Sequence, residues 1–136
     1  MAEGEKTIDV TQYPDSFQYV NIVMHDHQGI GGVENCALFY ADREVVVDSI
    51  VLHTDSATDA NDVISIKSFA NLGDVDSSGD VIATKTGITQ NTVVEMTIDT
   101  TKNVVPAGNL IGFDIDEDTA SLKGLMIQIR LRTRRK

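Results

Sequence analysis

LKGLMIQIRLRT, residues 122–133, places Leu125, Ile127, Ile129 and Leu131 on one side of an extended chain. Gln128, Arg130 and Arg132 fall on the other side. Successive side chains of a strand point to opposite faces, so this alternation specifies a half-buried β-strand. The same period recurs upstream. NLIGFDID (109–116) turns Ile111, Phe113 and Ile115 inward, and DVISIKSFA (62–70) sets Ile64 and Ile66 against Ser65 and Lys67. NTVVEMTID (91–99) reads as a strand with Val94, Met96 and Ile98 on one face and Glu95, Thr97 and Asp99 on the other. VVVDSIVLH (45–53) is the longest apolar run, and VIATK (81–85) is a short strand. Two more strands come earlier. One covers 17–25, with Val20, Ile22 and Met24 in step. The other covers 34–41, with Cys36, Leu38 and Tyr40 facing opposite to Ala37 and Phe39.

Turn-forming clusters separate these runs: HQGIGG (27–32), TDSATDAND (54–62), GDVDSSGD (73–80), Val105–Asn109 and DEDTAS (116–121). Gly, Pro, Asn, Asp and Ser serve turns for separate physical reasons. Composition agrees, because the 136 residues include 15 Val, 13 Ile and 13 Thr against 7 Leu. β-branched side chains suit a pleated surface and lose χ1 freedom in a helix. The expected fold is all-β: an antiparallel β-sandwich of jelly-roll type with about eight strands. Residues 17–133 form the sandwich, 1–16 an extended N-terminal arm and 134–136 a basic tail. The expected core is Ile64, Ile66, Val94, Met96, Ile98, Ile111, Phe113, Ile115, Ile127 and Ile129.

Charge and cysteine content narrow the function classes. The net charge is −10, which argues against general nucleic-acid binding through a basic surface. One cysteine excludes an internal disulfide framework. No apolar run approaches the ~20 residues that span a bilayer, and MAEGEKTIDV shows no signal-peptide h-region, so no membrane partner is expected. The charge is uneven, since residues 130–136 hold five of the eleven basic groups. The remaining 129 residues carry six basic against 21 acidic groups, a net of −15. The basic end either neutralises the acidic body or docks on an acidic partner surface.

Chemistry-bearing clusters are few. His25-Asp26-His27 puts two imidazoles on one face of a strand, but a metal needs a third ligand and His53 is the only other histidine. Asp74-Val75-Asp76-Ser77-Ser78-Gly79-Asp80 opens like a calcium loop, yet Lys85 stands where the loop needs a bidentate Glu. The acidic run Asp114, Asp116, Glu117, Asp118 reads as a solvated turn. Cys36 reads as a small packed hydrophobe. No G-x-S-x-G elbow, P-loop or G-x-G-x-x-G is present, so neither enzyme activity nor a cofactor is expected.

The order of features from Arg43 onward resembles a known pattern. REVVVDSIVLHT, DVISIKSFANLGDVDSSGDVIAT, NTVVEMTID, VVPAGNLIGFDID and the closing LKGLMIQIRLR are similar to small jelly-roll virion proteins of tailed bacteriophages. The likeness is to capsid decoration (cement) and head-fibre-type proteins in particular, and it covers about 43–133. Asn109 stands where such proteins often carry Asp, and the basic C-terminus is an addition. The resemblance implies a structural protein that binds and stabilises a capsid lattice, with the major capsid protein and further copies of itself, as a homotrimer, for partners. It implies a place on the virion surface after synthesis in the host cytoplasm. The alternative is a tail- or fibre-associated module that recognises a host-surface glycan or receptor. The absence of Trp and the 5% aromatic content weigh against a glycan platform. Sandwich edges must be covered or paired. Expected docking residues are Ile8, Val10, Tyr13 and Phe17 at the arm and Arg130, Arg132 and Arg134 on the last strand and tail.

Overall fold

A computed structural model of the chain describes residues 17–23, 33–55, 63–70, 79–116 and 124–133, with the backbone alone for 17–19, 21–23 and 33–35. Nine strands occur among them: β1 (Phe17–Val23), β2 (Val33–Tyr40), β3 (Val45–His53), β4 (Val63–Phe69), β5 (Asp80–Thr86), β6 (Val94–Glu95), β7 (Val104–Val105), β8 (Leu110–Asp116) and β9 (Met126–Thr133). They form two antiparallel sheets. Sheet A runs β1-β9-β3-β6, with β7 also on β3; sheet B runs β2-β8-β4-β5. Because β6 and β7 both pair with β3, they share one strand position. The count is therefore eight positions, four in each sheet. Successive positions alternate between the sheets except at the β4–β5 hairpin, which is the winding of a jelly roll.

The apolar sides of the two sheets meet in one core. Ile50, Leu52, Ile66, Ile111, Phe113, Leu125, Ile127 and Leu131 are fully buried there. Eight of the ten expected core residues are buried. Val94 and Ile98 are only partly buried against the cluster. The contribution of β3 is larger than the expected list held, since Val45, Val47, Ile50 and Leu52 are all buried.

Three local expectations are corrected. The run 91–99 is not a continuous strand. Only Val94–Glu95 pairs with β3, although Met96 N–H still donates to Ile50 O at 2.9 Å. The chain then leaves sheet A, Ile98 bridges Ala83 of β5, and Asp99 N–H donates to Ile82 O at 2.8 Å. It returns to β3 at β7, so Val105 ends a strand rather than opening a turn. This excursion ties sheet A to sheet B along one side of the sandwich.

The second correction is in β2. A register shift between Ala37 and Phe39 puts Cys36 opposite Phe113 and Phe39 opposite Ile111, so Cys36 and Phe39 share the core face. Ala37 and Tyr40 point outward and are exposed. An extra residue on one strand of a pair reverses the alternation beyond it. Third, Asp114, which lies in the expected strand, is not solvated with the rest of the acidic run: it pairs with Lys67 of β4.

Two glycines are required by geometry. Gly108 has φ +93°, and Asn109 N–H donates to Pro106 O at 3.2 Å, as a type II turn requires. Gly112 of β8 sits between β2 and β4. A Cβ there would collide with Cys36 O and lie 2.8 Å from Cζ of Phe69.

Candidate assembly surface

The arginines selected from the sequence lie on the outer face of sheet A. Ile127, Ile129 and Leu131 point into the core, so Arg130 and Arg132 must point out. β1 and β9 pair residue for residue without a shift, from Phe17↔Arg132 to Val23↔Met126. Phe17 is thus the cross-strand partner of Arg132, and Tyr19 that of Arg130. On the other side of β9, Arg132 is opposite Val46 and Arg130 opposite Ser49. The end row of this face reads Phe17, Arg132, Val46, Val104 across four strand positions.

A second irregularity completes the surface. The β3–β9 register shifts between Val47 and Ser49, which frees Asp48 from the one-to-one pairing. Arg132 Nε donates to Asp48 Oδ2 at 3.0 Å and to Oδ1 at 3.2 Å. Arg132 is therefore already engaged within the chain. The ion pair fixes its guanidinium over the face and reduces the charge it offers to a partner. Val46 is 4% exposed although it points outward, whereas Val104 is 40% exposed.

The register thus sets Phe17 directly opposite Arg132 on β9, two residues along from Arg130. Ile8, Val10, Tyr13 and Arg134 lie outside the described residues. Tyr19, which the register sets opposite Arg130, and Asp48, which accepts from Arg132, were missed. The period-2 step from Phe17 could have found Tyr19, and Asp48 is the one acid within the apolar run 45–53. Arginine and aromatic residues are enriched where proteins bind one another, and one apolar or aromatic body beside a charge is the usual composition of an anchor.

Among the described residues no three His, Cys, Asp or Glu side chains come together as a metal group. His53 Nδ1 lies 3.8 Å from Asp55 Oδ1, while His25 and His27 are outside the described residues. So are residues 74–78 of the calcium-like loop; its last member, Asp80, pairs with Lys102 at 3.2 Å. Cys36 is half-buried against the core, as a small hydrophobe would be. Asp99 accepts from Thr101 Oγ1 at 2.6 Å and from Thr101 N–H at 2.9 Å. These two bonds, the side-chain one first, and the charge of Lys102 hold its carboxyl below the ordinary carboxylate value against a small opposing desolvation.

No family model and no curated protein matches the chain. Among solved structures it is similar to a Bacillus endospore appendage protein of disulfide-linked pili, with 11% identity over 89% of this chain and 91% of that one, TM-score 0.47. It is also similar to a chain of infectious bursal disease virus, Gt strain, with 11% identity over 90% of this chain and 38% of that one, TM-score 0.38. A mutant VP2 protein of the same virus, in T=1 particles, shows 12% identity over 89% of this chain and 36% of that one, TM-score 0.37. The chain spans little more than a third of the length of those viral proteins.

Proposed function

We propose that this chain is a structural subunit of a virion, a decoration or cement protein that binds an assembled capsid lattice through protein–protein contacts and acts as a homotrimer. The observation that carries the reading is the outer face of sheet A. Register alone places Phe17 and Tyr19 beside Arg132 and Arg130 on a rigid two-sheet frame. A face fixed by a strand ladder presents its anchors with little entropy left to lose on binding. The resemblance of the strand pattern to phage decoration proteins supports the same reading.

The test is co-sedimentation of the purified protein with shells lacking it. The full chain is expected to sediment at saturating stoichiometry. Arg130→Glu, which reverses the charge on the patch, is expected to weaken binding at least tenfold while leaving the circular dichroism spectrum unchanged. Binding by Arg130→Glu equal to that of the native chain removes the patch from the interface. Specific binding on a glycan array without shell binding moves the protein to the host-recognition class.

A further inference from the structure

We infer that Arg132 anchors the partner-binding face by taking a carboxylate, the Asp or Glu side chain of a shell subunit, on the Nη1/Nη2 edge of its guanidinium. This rests on the assembly reading and deepens it by naming the group that the partner supplies.

A guanidinium carries its N–H donors in a fixed planar fork. In Arg132 the Nε donor is taken, by Asp48 Oδ2 at 3.0 Å and Oδ1 at 3.2 Å. Among the described residues nothing accepts from Nη1 or Nη2. The Arg132 side chain keeps 35% of its surface exposed on the outer face of sheet A. Two parallel N–H groups at the end of a fork match the two oxygens of a carboxylate, and such bidentate pairs are among the stronger hydrogen bonds.

The pin on Nε is built into the fold. Asp48 lies at the bulge of β3, between Val47, which pairs with Leu131, and Ser49, which pairs with Arg130. A bulge re-aims a side chain. Val47 is clamped from its other side. Its N–H donates to Asn103 O at 2.9 Å, and Asn103 Nδ2 donates back to Val47 O at 3.0 Å. The Asn103 side chain thus does the work of a backbone donor where the chain enters β7. A long side chain held at Nε has already given up much of the freedom that docking would remove.

Asp48 also selects the kind of anion. A nucleic-acid strand would bring a run of phosphates against Asp48 and against a chain of net charge −10. One carboxylate set in a protein surface brings a single charge and two coplanar acceptors. Val46, opposite Arg132, and Val104, opposite Val46, carry no polar side-chain atom to compete for the fork. Apolar flanks also strengthen a charge-assisted hydrogen bond.

The experiment measures co-sedimentation with shells lacking the protein for the native chain, Arg132→Lys, Asp48→Asn and the double variant, each checked for native circular dichroism. Arg132→Lys keeps the charge and loses the fork, so binding should weaken about tenfold. Asp48→Asn makes the face more positive, which would tighten a contact that depends on charge alone. Release of the pin should instead weaken binding about three- to tenfold, the cost of immobilising one flexible side chain. Because Asp48 acts through Arg132, the double variant should bind no more weakly than Arg132→Lys. In nitrogen-15 spectra of the free chain the Arg132 Nε–H signal should persist at neutral pH and vanish in Asp48→Asn. Native-strength binding by Arg132→Lys overturns the inference, as does tighter binding by Asp48→Asn. Tighter binding of a DNA duplex by Asp48→Asn than of shells would give the face to nucleic acid and overturn it too. If Arg130→Glu abolishes shell binding while Arg132→Lys and Asp48→Asn bind as the native chain does, this contact fails and the assembly reading stands. A native chain that does not bind shells removes the assembly reading, and the partner with it.

Discussion

Replacing Gly112 with Ala tests whether β2, β4 and β8 pack as described. Gly112 is fully paired, opposite Ala37 on one side and Lys67 on the other, and its φ is not positive. In such a strand position Ala ordinarily gains about 0.5–1 kcal/mol over Gly through the unfolded chain. Here the added methyl would collide with Cys36 O and meet two ring carbons of Phe69 at 2.8 and 2.9 Å. The carbonyl belongs to the β2 backbone, and Phe69 is 3% exposed, so neither neighbour can withdraw cheaply. Overpacking of this kind costs about 1–3 kcal/mol, and two rigid neighbours place Gly112→Ala near the upper end. A loss of about 3 kcal/mol should lower Tm by about 12 °C, at roughly 4 °C per kcal/mol for a chain of this size. Urea unfolding followed by circular dichroism measures it. In a Phe69→Ala background only the carbonyl contact remains, so the same change should cost about 1 kcal/mol less. A Gly112→Ala protein as stable as the native one, or more so, refutes the packing.

Three further outcomes are expected. Phe113→Ala, which empties a fully buried ring site between the sheets, should cost about 3–5 kcal/mol in chemical denaturation; a loss below about 1 kcal/mol would place the ring at the surface. Gly108→Ala has open space around the new methyl, so its cost of about 1–2 kcal/mol should come from the positive φ alone, and Gly108→Asn should recover part of it. The Asp99 carboxyl is held below its ordinary value, so its contribution to stability is complete above the unfolded-state pKa and disappears as pH falls through the lower folded-state pKa. Carbon-13 titration should show the Asp99 midpoint rising in Thr101→Val, which keeps the backbone donor and loses the hydroxyl; an unmoved midpoint removes the hydroxyl as the main cause.

Where the sequence could be read correctly, burial had left a regular pattern. β3 is bounded by charged residues on one side and a polar loop on the other, and its range matches the apolar run from Val45 to His53. β8 and β9 alternate without interruption, so their inward faces could be named in advance. Bulges leave no such trace. The shift in β2 brings Phe39 to the core face because one extra residue reverses the alternation, and nothing in CALFY marks the place. Ile98 keeps the polarity period of 91–99 and yet serves the other sheet, because a side chain packs equally well from a crossing segment as from a strand. Lys67 sits on the polar side of β4 as expected but is 7% exposed, and the Asp114 pair that compensates its buried charge is something no local pattern reveals. For the candidate surface, the residue types of Phe17, Arg130 and Arg132 were readable. Their meeting depends on the β1–β9 register, which joins chain segments more than a hundred residues apart.

The assembly role is tested most directly by quantitative mass spectrometry of virus particles purified from the culture that makes this protein, with the major shell subunit as internal standard. The proposed function predicts its peptides in a fixed, whole-number ratio to the shell subunit, retained through density-gradient banding and lost together with shell stability when the protein is stripped. Particles that band without it, at unchanged stability, would contradict that function.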